Sequence, residues 1–156
     1  MSSVNVNTTV TPIPSHLLSE CARMLTETHQ PRLKLNTYHT VSLNLDMIHS
    51  DFREYFCLTA DHTVCCETVT VPVLPTHRDV FNQIGQRQRQ CHCVLNCDPR
   101  SILLIVGGVH ILLPSNHWYL LHSQTRHSAV CEPPHSLITV DAHLDYTEYR
   151  ELLGLQ

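Results

Sequence analysis

Lysine is almost missing from this chain: of ten basic residues, nine are arginine and only Lys34 is lysine. Charged residues make up 15% of the sequence, well short of the usual quarter but too well mixed with apolar ones for a disordered polyelectrolyte. No apolar run approaches the roughly 18 residues of a membrane-spanning helix, so no membrane role is expected. The net charge is −4, and the one basic cluster is Arg87 with Arg89, a poor match for a phosphate backbone. Direct nucleic-acid binding is therefore not expected. The opening segment MSSVNVNTTVTPIP lacks the charged and apolar regions of a secretory signal. That omission implies a reducing compartment, where cysteines serve as thiols or metal ligands rather than disulfides.

What is abundant is histidine and cysteine, 13 and eight in 156 residues. The length suits one domain with its own core. Protonation of the histidines would reverse the sign of the net charge, so the surface potential should respond strongly to pH between about 5 and 7. Scarce lysine has two readings, codon bias or avoidance of ubiquitin acceptors.

Residues 1–14 are polar and end in Pro12 and Pro14, which reads as a flexible leader. Leu17, Leu18, Cys21, Met24 and Leu25 then recur at helical spacing behind Ser15, a candidate N-cap. Val41, Leu43, Leu45 and Met47 alternate as in a half-buried strand, and so do Val69, Val71 and Val73, where Pro72 suggests an edge. Thr76 and Asp79 resemble a capping box before a weak helix on Val80, Phe81 and Ile84. Of only four glycines, two adjoin at Gly107 and Gly108 between the apolar runs SILLIV and VHILLP. That pattern predicts a tight hairpin, because both turn positions need positive φ. HWYLL and SLITVDAHL supply two more strands around a turn in CEPPH. Asp145 with Glu148 caps a last helix that Gly154 ends. The expectation is an α+β fold: mostly antiparallel strands with short flanking helices, forming one Cys/His-rich domain over 15–156.

The densest group of potential ligands is Cys91, His92, Cys93 and Cys97 in CHCVLNC, with Cys65 and Cys66 just upstream and Cys57 and His62 before them; the metal is expected on Cys91, Cys93 and Cys97 with Cys65 or Cys66. Thiolates suit tetrahedral zinc, and a structural site needs four ligands. Without paired CxxC knuckles, such a site has to be assembled from distant segments, and plain buried thiols are the alternative. Cys131 with His135, and His122 with His127, also have ligand-like spacing. His110 in GGVH and Asp141, His143 and Asp145 in DAHLD faintly resemble the metal motifs of the arginase and deacetylase superfamily, giving a remote reading as a metal-dependent hydrolase.

Two segments resemble the adenovirus early-region-four 34K family. One is CHC at 91–93 followed by Pro99, Ser101, Ile105, Gly107 and Gly108; the other is Leu17, Leu18, Glu20 and Cys21. The resemblance implies a viral early protein acting in the host nucleus and cytoplasm. Such a protein is an adaptor that, with another viral early protein, recruits a cullin ubiquitin ligase through elongin B/C. Leu17, Cys21 and Leu25 then match the L-x(3)-C-x(3)-L form of an elongin-binding helix. The resulting expectation is a non-enzymatic, zinc-stabilised adaptor, with an interaction module lacking ligase recruitment as the alternative.

Overall fold

The computed structural model describes residues 10–29, 38–77 and 90–155. The helix expected on Val80, Phe81 and Ile84, the Arg87–Arg89 cluster and Lys34 lie outside them.

Among the described residues, ten strands form two antiparallel sheets. The larger contains β1 (Thr11–Pro12), β8 (His117–His122), β5 (Cys91–Asn96), β10 (His135–Ala142), β3 (His62–Val69) and β2 (Tyr38–Leu43), side by side in that order. The smaller contains β4 (Val73–His77), β9 (His127–Val130), β6 (Ile102–Val106) and β7 (Val109–Leu113). Apart from the β2–β3 and β6–β7 pairs, neighbouring strands are not consecutive in the chain, which passes repeatedly between the sheets and gives a jelly-roll sandwich.

Strand alternation builds two apolar layers from one sheet. On β5, Cys91, Cys93 and Leu95 face one way, and on β10 so do Ile138, Val140 and Ala142; with Trp118 and Leu120 of β8 they meet the helices. Val94, Leu137, Tyr119 and Leu121 face the other way, against Ile102, Leu104, Val106 and Ala129 of the smaller sheet. β10 lies between β5 and β3 and is covered on both faces, so it is buried along nearly its whole length.

Among the described residues, three short helices cover the outer layer: α1 (Leu18–Glu27), α2 (Ser50–Tyr55) and α3 (Tyr146–Leu152). Phe52 and Phe56 pack at 4.9 Å, and Phe56 meets Trp118 edge-on at 5.3 Å. Glu20 of α1 accepts from the Arg23 guanidinium and from the His49 N–H, joining α1 to the start of α2. The Arg23 bond holds the Glu20 carboxyl below its ordinary pKa despite burial.

The expected mostly antiparallel strands and short flanking helices are present, and the α+β class is corrected only in its balance: the sheets form an antiparallel β-sandwich with few short helices. The Gly-Gly hairpin is present, with φ +56° at Gly107 and +82° at Gly108 between β6 and β7. Asp145 accepts from Glu148 N–H at the start of α3, and Gly154 follows its end at φ +73°. Ser15 does not cap α1; a 3-10 turn over Ser15–Leu17 precedes it without a side-chain cap. Pro72 lies between β3 and β4 rather than within a strand. Part of the expected leader is structured, since Thr11 pairs with Trp118 and Ile13 is buried.

Candidate functional site inside the sandwich

The CHC motif is one strand, and its alternation sends the three side chains to different places. Cys91 and Cys93 enter the helix-side core, whereas His92 faces the interior between the sheets. Directly opposite on β10 is Asp141, the register partner of His92, and the two side chains are bonded through His92 Nδ1. Asp141 is 7% exposed and His92 14%, so the pair is largely shielded from water. With the carboxylate accepting the Nδ1 proton, the neutral ring carries its lone pair on Nε2.

His127 joins from the smaller sheet. Its ring stacks on that of His92 at 5.8 Å with planes 24° apart, and its Nδ1–H donates to the Thr125 carbonyl at 2.8 Å. Both histidines line a partly open cavity of about 70 Å³, together with Ser128, Thr139 and an apolar wall that includes Val94, Leu104, Ala129 and Leu137. Thr139 donates to Glu67 at 3.5 Å. The space takes a few waters or one end of a larger ligand. Carboxylate-oriented imidazole in an apolar setting is suited to accepting or delivering a proton.

A second polar group closes one end of the sandwich. Asn96 donates to the Arg100 and Leu113 carbonyls, and its Oδ1 accepts from His135 Nε2–H at 2.9 Å. Asp98 accepts from the Arg100 backbone and side chain and from Ser136 N–H. Burial raises the Asp98 pKa, but these bonds outweigh it and the carboxyl stays below its ordinary range. The group ties three turns together and is structural.

The five cysteines expected to hold zinc are not brought together. Cys65 and Cys66 are successive strand residues and point to opposite faces. Cys66 shares a face with Cys91 and Cys93, but β10 stands between β3 and β5, which puts them about 10 Å apart sideways. Zinc–sulfur bonds of about 2.3 Å cannot span that. Burial pushes the Cys91 thiol up to about 12 and the Cys93 thiol well above its ordinary value, as expected of neutral core thiols. Cys97 directly follows β5 and packs, partly buried, at the border of the helix-side core.

Leu17 and Cys21 are buried and Leu25 packs beside them, so the stripe read as an elongin-docking face is used by the chain's own core. The other pairings dissolve too. Cys131 donates to the Val71 carbonyl, and His122 accepts from Gln124 N–H. His110 is exposed on β7, Asp141 bonds His92 and Asp145 caps α3, so the hydrolase constellation does not assemble.

The architecture is that of the cupin-like, RmlC-type barrels. KdgF from Halomonas sp. is similar at a TM-score of 0.52 and 13% identity, covering 78% of this chain and 93% of its own. An RmlC-like cupin from Desulfovibrio desulfuricans covers 74% and 93% at 9% identity and a TM-score of 0.48. Ectoine synthase from P. lautus covers 76% and 74% at 11% identity and 0.47. At these identities it is the fold that is shared. No protein-family model matches the chain, and no curated protein does.

These findings overturn the resemblance to the adenovirus 34K family, and with it the viral early protein, the ligase adaptor, the elongin, cullin and viral partners. Its two segments have local structural causes: in the first, CHC is a strand alternation and Gly-Gly a hairpin turn, and in the second, Leu17 and Cys21 pack into the chain's own core.

The donor set around the cavity does not fit a resident metal ion. His92 and His127 line the cavity, Asp141 is bonded to His92, and among the described residues no three His, Cys, Asp or Glu side chains converge to hold an ion. Zinc, expected as a structural cofactor, therefore has no evident binding group among those residues.

In the sequence His92 reads as one more member of a Cys/His cluster. Alternation is the signal that sets it apart: reading CHCVLN and ITVDA as buried strands places His92 of one and Asp141 of the other on the inner face.

Proposed function

We propose that the protein binds a small organic molecule in the sandwich interior and that the His92–Asp141 pair exchanges a proton with it. The observation carrying this reading is a carboxylate-oriented imidazole on the wall of an otherwise largely apolar, partly open cavity. The chemistry selects a ligand with an apolar body and one hydroxyl, carbonyl or enol group. Its apolar end displaces water from the wall, and its polar group meets the imidazoles. Asp141 fixes the tautomer of His92 and stabilises the imidazolium formed when that ring takes up a proton. His127, bonded through Nδ1 to a carbonyl, presents a second imidazole beside it.

A fragment screen by protein-observed NMR tests this. Fragments of the stated class should shift His92 and His127 ring resonances, and Ala129→Phe, which fills the cavity, should abolish binding. Fragments that bind Ala129→Phe equally well, or perturb only distant residues, would overturn the proposal.

A further inference from the structure

The polar side chains on the cavity wall make bonds that settle which way their protons point. A backbone carbonyl cannot donate, so the contact of His127 Nδ1 with the Thr125 oxygen at 2.8 Å fixes a proton on Nδ1. The Asp141 carboxylate does the same for His92 Nδ1 from across the ladder. In the neutral rings this puts a lone pair on both Nε2 atoms, and the two rings stack at 5.8 Å on the wall of one cavity. Thr139 directs its hydroxyl proton to Glu67 at 3.5 Å, so its oxygen also meets the cavity as an acceptor. Ser128 lies between His127 and Ala129 on β9, and alternation turns its side chain to the other face of that sheet. Backbone donors are engaged as well, because β5, β6, β9 and β10 each lie between two partner strands.

We propose that the interior site selects hydrogen-bond donors: its ligand is an alcohol, phenol or enol held by its hydroxyl proton, and the matching ketone, ester or ether is rejected. The inference rests on the reading that a small molecule binds between the sheets, and it narrows the polar group of that molecule to one kind. A hydroxyl gives its proton to an Nε2 while its skeleton covers Val94, Leu104, Ala129 and Leu137. A carbonyl oxygen in the same place faces lone pairs. It leaves the water that bonded it and gains no donor in return. Discrimination then comes from an unpaired polar group and not from shape, since the alcohol and ketone of one skeleton nearly coincide in size.

The test titrates cyclohexanol, cyclohexanone and cyclohexyl methyl ether into the full-length protein at about pH 8.5, above the ordinary imidazole range, and follows the His92 and His127 ring resonances. Cyclohexanol is expected to bind about tenfold more tightly than cyclohexanone or more, with the ether as weak as the ketone. Long-range proton–nitrogen correlation spectra of the ligand-free protein should show the Nδ1–H tautomer at both rings. Equal affinity for alcohol and ketone, or an Nε2–H tautomer at either histidine, would overturn the donor selectivity while leaving interior binding intact. Failure of all three compounds to shift the two rings would overturn the binding reading itself, and the selectivity with it.

Discussion

His92 and Asp141 occupy the same rung of the β5–β10 ladder, and the imidazole donates across it to the carboxylate. Neither residue would be retained here by packing alone, because a buried carboxylate and a buried imidazole each pay for desolvation unless paired. Asp141→Ala leaves the Nδ1–H of His92 without its acceptor and should destabilise the fold by about 1–3 kcal/mol in urea unfolding. Asp141→Asn keeps an acceptor oxygen and should recover much of that loss. Equal losses in the two variants would show that orientation of the His92 ring is not what Asp141 provides.

Stability should fall on mild acidification, with His62 and His135 responsible. Burial lowers the pKa of both. His62 Nδ1 accepts from Thr59 N–H at 2.9 Å, and its ring lies at 5.1 Å from Tyr149, so a second proton has no place to go. His135 is fully buried and donates through Nε2 to Asn96. Below about pH 6.5 the unfolded chain binds protons that the folded one refuses, so stability is complete above that value and declines as pH falls through the lowered folded values. Glu20 and Asp98 act in a separate, lower window, because their lowered pKa values withdraw stability only as carboxylates protonate. Urea midpoints between pH 7.5 and 5 should fall in the wild type and flatten in a His62→Asn, His135→Gln double variant.

The hairpin at Gly107–Gly108 and the Asp145 cap were legible because each depends on residues adjacent in sequence. Strand β5 was not, although all of it lies in CHCVLN. Cysteine and histidine carry two meanings, metal ligand and strand core residue, and only the sheet partner decides between them. Once β10 is alongside, Cys91 and Cys93 are core residues like Val140 and Ala142, and His92 acquires Asp141 across 48 intervening residues. The helix on Leu17, Cys21 and Leu25 was readable as amphipathic, but periodicity does not say whether its apolar face meets a partner or its own sheet. Here it meets the outer face of the larger sheet.

The two glycines of the hairpin should differ in tolerance. A Cβ at Gly107 would lie 3.3 Å from Thr125 Cγ2 in addition to the strain of φ +56°. One at Gly108 meets open space, leaving only the strain of φ +82°. Gly108→Ala should therefore destabilise by about 1–2 kcal/mol and Gly107→Ala by more, as measured by thermal unfolding. The reverse order would mean that the Thr125 side chain moves aside freely.

Chelation separates the packing account of the cysteines from the metal account. If Cys91 and Cys93 are neutral core thiols, 1,10-phenanthroline or EDTA should leave the unfolding midpoint of the reduced protein unchanged. Cys93→Ala should then behave as a small cavity substitution, destabilising by about 1–2 kcal/mol without abolishing the cooperative transition. Structural zinc predicts something different in kind: stoichiometric metal in the purified protein, loss of folding on its removal, and comparable collapse on replacement of any single ligand. The strand geometry favours the first pattern, because β10 holds Cys66 away from the β5 thiols and each thiol is enclosed by apolar neighbours on its own side of the sheet.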